Sequence, residues 1–321
     1  MRNLIATIVF VAGSCFAASA QTPGTDIPVN VTEANVPLLK LNNGLTMPQF
    51  GLGTFCLPEG EVSKNAVAEA LKKGYRHIDT AHAYGNERSV GRAVKESGIP
   101  REEIWITSKL WPNEYGEGKT LPAIDKMLRR LDVDYIDLVY LHQPVGDYAG
   151  AWKELEKAIG QGKVRAIGIS NFDFNDAMFS AIVDSMKVKP TTMQIECHPY
   201  AQRKHWQEKL KANGIVLESW FPLGGRDSKG ELLRDIVINR IARAHGKTAA
   251  QAIIRWHIQE GFSVIPGTDN PAYIEENIHV FDFKLNEEEM AALRALDSER
   301  RYFTKTYDEI SKWFSGYEIW D

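Results

Sequence analysis

The sequence predicts an α/β fold of the (β/α)8 barrel type, and three observations predict it. Eight short, apolar, β-branched runs alternate with amphipathic stretches along the chain. Composition does not break at any point that would mark a second domain, and 321 residues suit one large α/β unit. No G-x-G-x-x-G turn follows the first run, as a doubly wound sheet would usually carry.

Taken in order, residues 1–20 stand apart. Met1-Arg2-Asn3 is a basic start, residues 4–12 are apolar, and Ala18-Ser19-Ala20 is a small-x-small site before Gln21. This pattern reads as a secretory signal peptide. It predicts export to the periplasm or outside, or a cytoplasmic protein if the true start lies downstream. Residues 21–36 bear Pro and Thr without period and read as a flexible leader, which leaves 37–321 as a single barrel domain.

The domain opens with a hairpin, 38–41 and 45–47, joined by Asn42-Asn43-Gly44, where Asn-Gly supplies the positive backbone angles of a tight turn. The barrel strands are expected at 49–54, 76–80, 104–109, 136–142, 164–170, 192–196, 216–220 and 263–266. Amphipathic helices are expected at 63–73, 88–97, 121–131, 151–159, 174–185, 204–213 and 249–259. The helical period is explicit in Leu121, Ile124, Met127 and Leu128. Short apolar strands of this kind suit a sheet covered by helices. The segment after Asp297 carries Tyr302, Phe303, Tyr307, Trp313, Phe314, Tyr317 and Trp320. That is too aromatic for a disordered end, and we expect a C-terminal tail folded over the barrel mouth.

Composition narrows the function. A 44% hydrophobic, 25% charged chain is that of a soluble globular protein, and a net charge of -4 gives no footprint for nucleic acid. Cys56 and Cys197, which remain beyond the leader, do not make a disulfide framework. No spacing of His, Cys or acid reads as a metal site, so none is expected.

Barrel active sites sit at the C-terminal ends of the strands. Asp79, Lys109 and His142 close the second, third and fourth runs, and Tyr84 lies on the loop after the second. A phenol titrates near 10 and donates poorly at neutrality. A neighbouring ammonium is expected to lower that value, a carboxylate to keep the ammonium charged, and a histidine to hydrogen-bond a carbonyl oxygen. Together they suit protonation of a carbonyl oxygen while hydride reaches its carbon.

The stretches G-Y-R-H-I-D-T-A-H-A-Y-G-N-E from Gly74, I-T-S-K-L-W around Lys109 and L-V-Y-L-H ending at His142 resemble, in order, the signatures of the aldo-keto reductase family. The resemblance covers the whole mature domain. It implies a catalytic tetrad of Asp79, Tyr84, Lys109 and His142, with Tyr84 the proton donor in NAD(P)H-dependent reduction of aldehydes or ketones. It further implies that Ser170, Asn171 and Gln194 hold the nicotinamide carboxamide, that Trp220 stacks on the ring, and that Leu223 meets the pyrophosphate. Thr268, Glu276 and Asn277 fall at the adenosine end. Phe55, Trp111 and Gln143 would line the substrate mouth, which suggests a small-molecule carbonyl with an apolar part. One region departs from the family's pattern. Val264-Ile265-Pro266 is followed by Gly267-Thr268-Asp269, and Tyr273 stands where an Arg is usual. Both cations that would hold a 2′-phosphate are missing. On the family's habit NADP(H) is still the first expectation, and the missing cations set NAD(H) or dual use beside it. Nothing indicates a protein partner. An exported nucleotide-binding or sensing barrel with little turnover is the alternative, and a glycosidase using Asp79 and Glu196 is a third reading.

Overall fold

The computed structural model describes residues 36–316 and 319, so the expectations for 1–35 and for Tyr317 and Trp320 lie outside the described residues. The hairpin pairs β1 (Leu38–Lys40) antiparallel with β2 (Thr46–Pro48). At its turn Gly44 has φ 89°, and Leu41 N donates to Leu45 O at 2.8 Å. Leu41 and Met47 are driven inward and cluster with Trp105, Leu138, Tyr140 and Ala166 of the barrel. The hairpin thus plugs the end of the barrel where the strands begin.

Eight parallel strands follow in sequential order: β3 (Leu52–Gly53), β4 (His77–Asp79), β5 (Trp105–Leu110), β6 (Ile136–Leu141), β7 (Val164–Ser170), β8 (Thr192–Glu196), β9 (Val216–Trp220) and β10 (Ser263–Val264). A parallel bridge between Phe50 and Val264 joins the two ends, with Val264 N donating to Gln49 O at 3.0 Å and Gly51 N to Val264 O at 3.0 Å. The sheet is a closed TIM-type barrel. Its first and last strands are shorter than the sequence suggests. A Cβ on Gly51 would lie 2.8 Å from His77 of β4, and one on Gly53 would lie 2.7 Å from Ile265 O, so neither position has room for a side chain.

Helices α1 (Glu61–Lys72), α2 (Glu87–Glu96), α3 (Thr120–Leu131), α4 (Tyr148–Gly160), α5 (Asp176–Val183), α6 (Lys204–Ala212), α7 (Glu231–Arg234), α8 (Ile236–Ala244), α9 (Ala249–Glu260), α10 (Pro271–Ile278), α11 (Glu287–Arg294) and α12 (Tyr307–Ser315) complete the chain. In α3, Ala123, Ile124, Met127 and Leu131 are buried, as the period requires. Helix starts are fixed by side chains: Asp235 accepts from Val237 N and Ile238 N, and Thr248, Asn286 and Thr306 each form a capping box. One continuous core runs between the sheet and its helices.

The tail does return to the mouth. Tyr302 N donates to Glu196 Oε1 at 2.6 Å, Phe303 N reaches Glu196 Oε2 at 3.2 Å, and Arg301 Nε pairs with the same carboxylate at 3.1 Å. Glu196 ends β8, so the chain at 301–303 is tied across the top of the barrel. Phe303 then lies 5.9 Å from Trp220, and Phe314 of α12 lies 4.8 Å from Trp111.

Candidate active site

Asp79 is the last residue of β4, Lys109 the penultimate residue of β5, and His142 the first residue after β6. A one-turn helix, His82–Tyr84, carries Tyr84 back over them. Asn86 secures that turn: its Oδ1 accepts from Thr80 Oγ1 at 2.6 Å, and its Nδ2 donates to Thr54 O and Leu57 O at 2.9 Å. Glu114 braces the same wall by bridging His82 Nδ1 at 2.8 Å and Trp111 N at 2.8 Å.

Lys109 has no exposed surface and Asp79 has 2%. Nζ donates to Asp79 Oδ1 and Oδ2 at 2.6 and 2.7 Å and to Thr80 O at 3.0 Å. It sits 4.9 Å from the Tyr84 ring centroid. The His142 ring meets Tyr84 edge-on at 5.7 Å and Trp111 at 5.2 Å. The fold therefore brings the four expected residues into one cluster.

The electrostatics differ from the sequence expectation in one respect. The Tyr84 phenol is pushed well above its ordinary value, by burial first and then by the charges of Asp79, Cys56 and Glu218. Lys109 itself is bound by both oxygens of Asp79. Burial also raises the Asp79 carboxyl, with Lys109 pulling it down and Glu218 pushing it up. His142 is held well below its ordinary value by burial and by Lys109, so it is neutral near pH 7. Its Nδ1 is buried without a partner among the described residues.

A second group occupies the next strand ends. Ser170 closes β7 opposite Gln194 of β8, which faces Glu218 of β9. Asn171 follows in the left-handed region, φ 63°, a conformation Asn tolerates. Its Nδ2 donates to His142 O and Ser170 Oγ at 3.1 Å, and its Oδ1 accepts from Trp220 Nε1 at 3.1 Å. Asn171 thus ties the half-buried indole of Trp220 to the catalytic cluster. Gln194 Nε2 donates to Asp79 Oδ2 at 2.9 Å and to Glu218 Oε1 at 2.7 Å.

The remaining expected residues spread around the mouth. Phe55 is 48% exposed and lies 5.1 Å from the Tyr84 ring. Trp111 and Gln143 are buried, and Gln143 Oε1 has no partner among the described residues. Leu223 packs on the core. Thr268 is buried, with Oγ1 accepting from Asn270 N at 3.1 Å. Asn277 is buried in α10, and Glu276 Oε1 accepts from Thr248 Oγ1 at 2.7 Å, which engages it at the start of α9. Asp79 is bound to Lys109 and Glu196 to the 301–303 strap, so both carboxylates are already engaged. Among the described residues no group of three or more His, Cys, Asp or Glu is arranged for a metal ion. No helix among them is long and apolar enough to cross a membrane.

Sequence reasoning missed Glu218, a fully buried acid beneath the site. The available signal was a lone acid inside the apolar strand Val-Leu-Glu-Ser-Trp, since carboxylates are seldom buried unless partnered.

Residues 49–298 match the model of the Aldo/keto reductase family. The chain is 42% identical over 268 residues to the 9,11-endoperoxide prostaglandin H2 reductase of Trypanosoma cruzi, covering 83% of this chain and 94% of that one. It is 42% identical over 264 residues to the glyoxal reductase of Bacillus subtilis, covering 82% and 94%. The crystal structure of a Bombyx mori aldo-keto reductase in complex with NADP superposes with a TM-score of 0.79 at 30% identity, covering 88% of this chain and 98% of that one.

Proposed function

The chain belongs to the aldo-keto reductase family, and from that premise we propose that it reduces aldehydes or ketones to alcohols with Tyr84 as the proton donor. It is an NAD(P)H-dependent oxidoreductase acting on small-molecule carbonyl compounds. The observation that carries the assignment of roles is the buried Lys109–Asp79 pair, 2.6 Å apart, directly under the Tyr84 ring.

The donor set fits a nicotinamide. A primary carboxamide offers one acceptor oxygen and one donor nitrogen. Ser170 Oγ accepts from Asn171, which leaves its own hydrogen for the carboxamide oxygen. Both amide hydrogens of Gln194 go to carboxylates, which leaves Oε1 for the carboxamide nitrogen. Trp220, squared by Asn171, offers a flat face for the ring. Leu223 borders the pyrophosphate, and Thr268, Glu276 and Asn277 border the adenosine end.

When bound, the reduced nicotinamide supplies hydride to the carbonyl carbon. The chain's own residues manage the oxygen. Tyr84, held protonated by its raised pKa, donates its proton as negative charge develops and is reprotonated from solvent. His142, neutral, offers a ring N–H to the same oxygen. Lys109 Nζ lies beneath the phenol ring, and Asp79 holds it in place through both carboxylate oxygens. Phe55, Trp111 and the tail aromatics exclude water and favour a carbonyl with an apolar part, while the free Oε1 of Gln143 adds a polar acceptor. The two relatives are named for a prostaglandin endoperoxide and for glyoxal, so the shared frame serves unlike substrates.

For the cofactor we propose use of NADPH and NADH alike. From residue 256 to 283 the chain has no Lys or Arg, yet holds Asp269, Glu275 and Glu276. The loop after the last barrel strand and the following helix start are a common phosphate site in barrels, and an acid there accepts from a ribose hydroxyl but repels a phosphate. Export is supported by the 1–20 pattern, and the mature protein from its native host is expected to begin at Gln21.

The test is to titrate the protein's tryptophan fluorescence with NADPH and NADH, then follow aldehyde-dependent oxidation of each. Quenching by both, with turnover, supports the reading. Binding without turnover would favour the nucleotide-holding alternative. A preference for NADPH of roughly a hundredfold, about 2.8 kcal/mol, would refute dual use.

A further inference from the structure

Four residues form one level of the barrel interior across adjacent strands. Ser170 is the register partner of Gln194, Gln194 of Glu218, and Glu218 of Ser263. Glu218 is the charged member, with no exposed surface. Its Oε1 accepts from Gln194 Nε2 at 2.7 Å and from the Tyr140 hydroxyl at 3.0 Å, and its Oε2 accepts from Ser263 Oγ at 2.7 Å. Tyr140 reaches it because residue 168 is glycine: a Cβ there would stand 2.4 Å from the Tyr140 ring. A tyrosine, a serine and a glycine are thus arranged around this one carboxylate.

The arrangement decides the orientation of Gln194. An amide side chain can usually flip end for end, since its two ends are nearly isosteric. Here one end faces two acceptor-only groups, Asp79 Oδ2 at 2.9 Å and Glu218 Oε1 at 2.7 Å. Only the nitrogen, with two hydrogens, satisfies both. With Asp79 alone the amide would need just one hydrogen on that side. Asp79 Oδ2 also accepts from Lys109 Nζ at 2.7 Å, and Glu218 gives the second amide hydrogen a partner of its own.

We propose that Glu218 is a positioning residue for the cofactor: it locks the Gln194 amide with Oε1 directed to the carboxamide nitrogen of the nicotinamide. The inference rests on the reductase reading above. It predicts that reach, not charge, is what the site needs from position 218. Glu218→Gln keeps an acceptor oxygen at full reach, with its amide nitrogen turned to Ser263. Glu218→Asp keeps the charge but withdraws the oxygen by one methylene.

The experiment measures dissociation constants for NADPH and NADH by fluorescence quenching in wild type, Glu218→Gln, Glu218→Asp, Gln194→Met and the Glu218→Asp/Gln194→Met double variant. Melting curves confirm that each is folded. Glu218→Asp and Gln194→Met should each weaken binding about tenfold, the worth of one oriented hydrogen bond. Glu218→Gln should stay within about threefold of wild type. The double variant should be no weaker than Gln194→Met by more than about twofold, because Glu218 acts through Gln194.

A reversed order, with Glu218→Gln impaired and Glu218→Asp intact, overturns the proposal in favour of a charge role. Equal losses in both, no loss in either, or additive losses in the double variant overturn it in favour of a structural role. If Glu218→Asp does not fold, a loss in the isosteric Glu218→Gln still overturns it. Failure of the wild-type protein to bind either dinucleotide refutes the reductase reading itself, and this inference with it.

Discussion

Lys109→Met preserves the stem of the side chain and removes its ammonium. The lysine makes three hydrogen bonds, two to Asp79 and one to Thr80 O, with no solvent contact. Without it, Asp79 keeps one amide hydrogen from Gln194 at 2.9 Å and faces Glu218 across that amide. Breaking a buried pair from one side costs about 3–5 kcal/mol. Unfolding entropy of about 2.1 cal/mol/K per residue over roughly 280 residues amounts to ~0.6 kcal/mol/K, so the melting temperature should fall by about 5–8 °C. The carboxyl is already pushed upward by burial, and protonating it relieves part of the penalty, which places the result near the lower end. The Asp79→Asn/Lys109→Met double variant should recover most of the loss, since a neutral pair leaves no uncompensated charge. Both variants should lose reduction, because the phenol no longer rests on a cation. Calorimetry on the two variants checks the argument. A single variant melting within about 2 °C of wild type, or a double variant no more stable than the single, would refute the reasoning.

Tyr84→Phe should lower the reduction rate by at least a hundredfold or so while leaving dinucleotide affinity within about threefold; near-wild-type turnover would remove Tyr84 from the donor role. Because the phenol is pushed above 10 rather than below it, reduction should stay level with pH through neutrality, and a loss of rate between pH 7 and 9 tied to the donor would contradict that direction. Trp220→Ala should weaken dinucleotide binding roughly ten- to hundredfold, the range of a stacked base on an aromatic ring, with unchanged quenching titrations as the opposing result. His77 is buried, and burial lowers its pKa from 6.5 to about 4. Its folded value is below its unfolded one, so the unfolded chain takes up protons first, and stability present at neutral pH is lost from about 6.5 down to about 4. At pH 5 the loss is about 2 kcal/mol. Urea unfolding of His77→Gln should show a smaller gap between pH 7 and pH 5 than wild type, and an equal gap would argue against the shift.

How much was legible follows from which physics is local. Strands at 164–170, 192–196 and 216–220 coincide with β7, β8 and β9, because a β-branched run bounded by turns is a property of a few neighbouring residues. The first strand, expected at 49–54, is regular only at Leu52–Gly53, with Phe50 joined to Val264 by an isolated bridge, because its pairing depends on partners far away in the sequence. Helices at 236–244 and beyond residue 259 were not singled out. Their capping by Asp235, Asn270, Asn286 and Thr306 is clear once the ends are known. The convergence of Asp79, Tyr84, Lys109 and His142 was legible because barrel topology sends every strand end to one face. The direction of the Tyr84 shift was not, since burial, its largest cause, exists only once the cluster is packed. Glu218 stayed hidden for a related reason: its meaning lies in Tyr140, Gln194 and Ser263, which only the closed barrel brings together.

The strap over the mouth is fastened largely through main-chain amides, those of Tyr302 and Phe303, gripped by one glutamate. At Phe303 such a fastening does not consult the side chain it carries, whereas Tyr302 is also held by its hydroxyl to Glu231 at 3.2 Å. Residue 303 can change identity, and so reshape the rim that incoming compounds meet, while the loop keeps its seat. The barrel can thus acquire new tastes by revising a single letter, leaving its catalytic machinery unaltered.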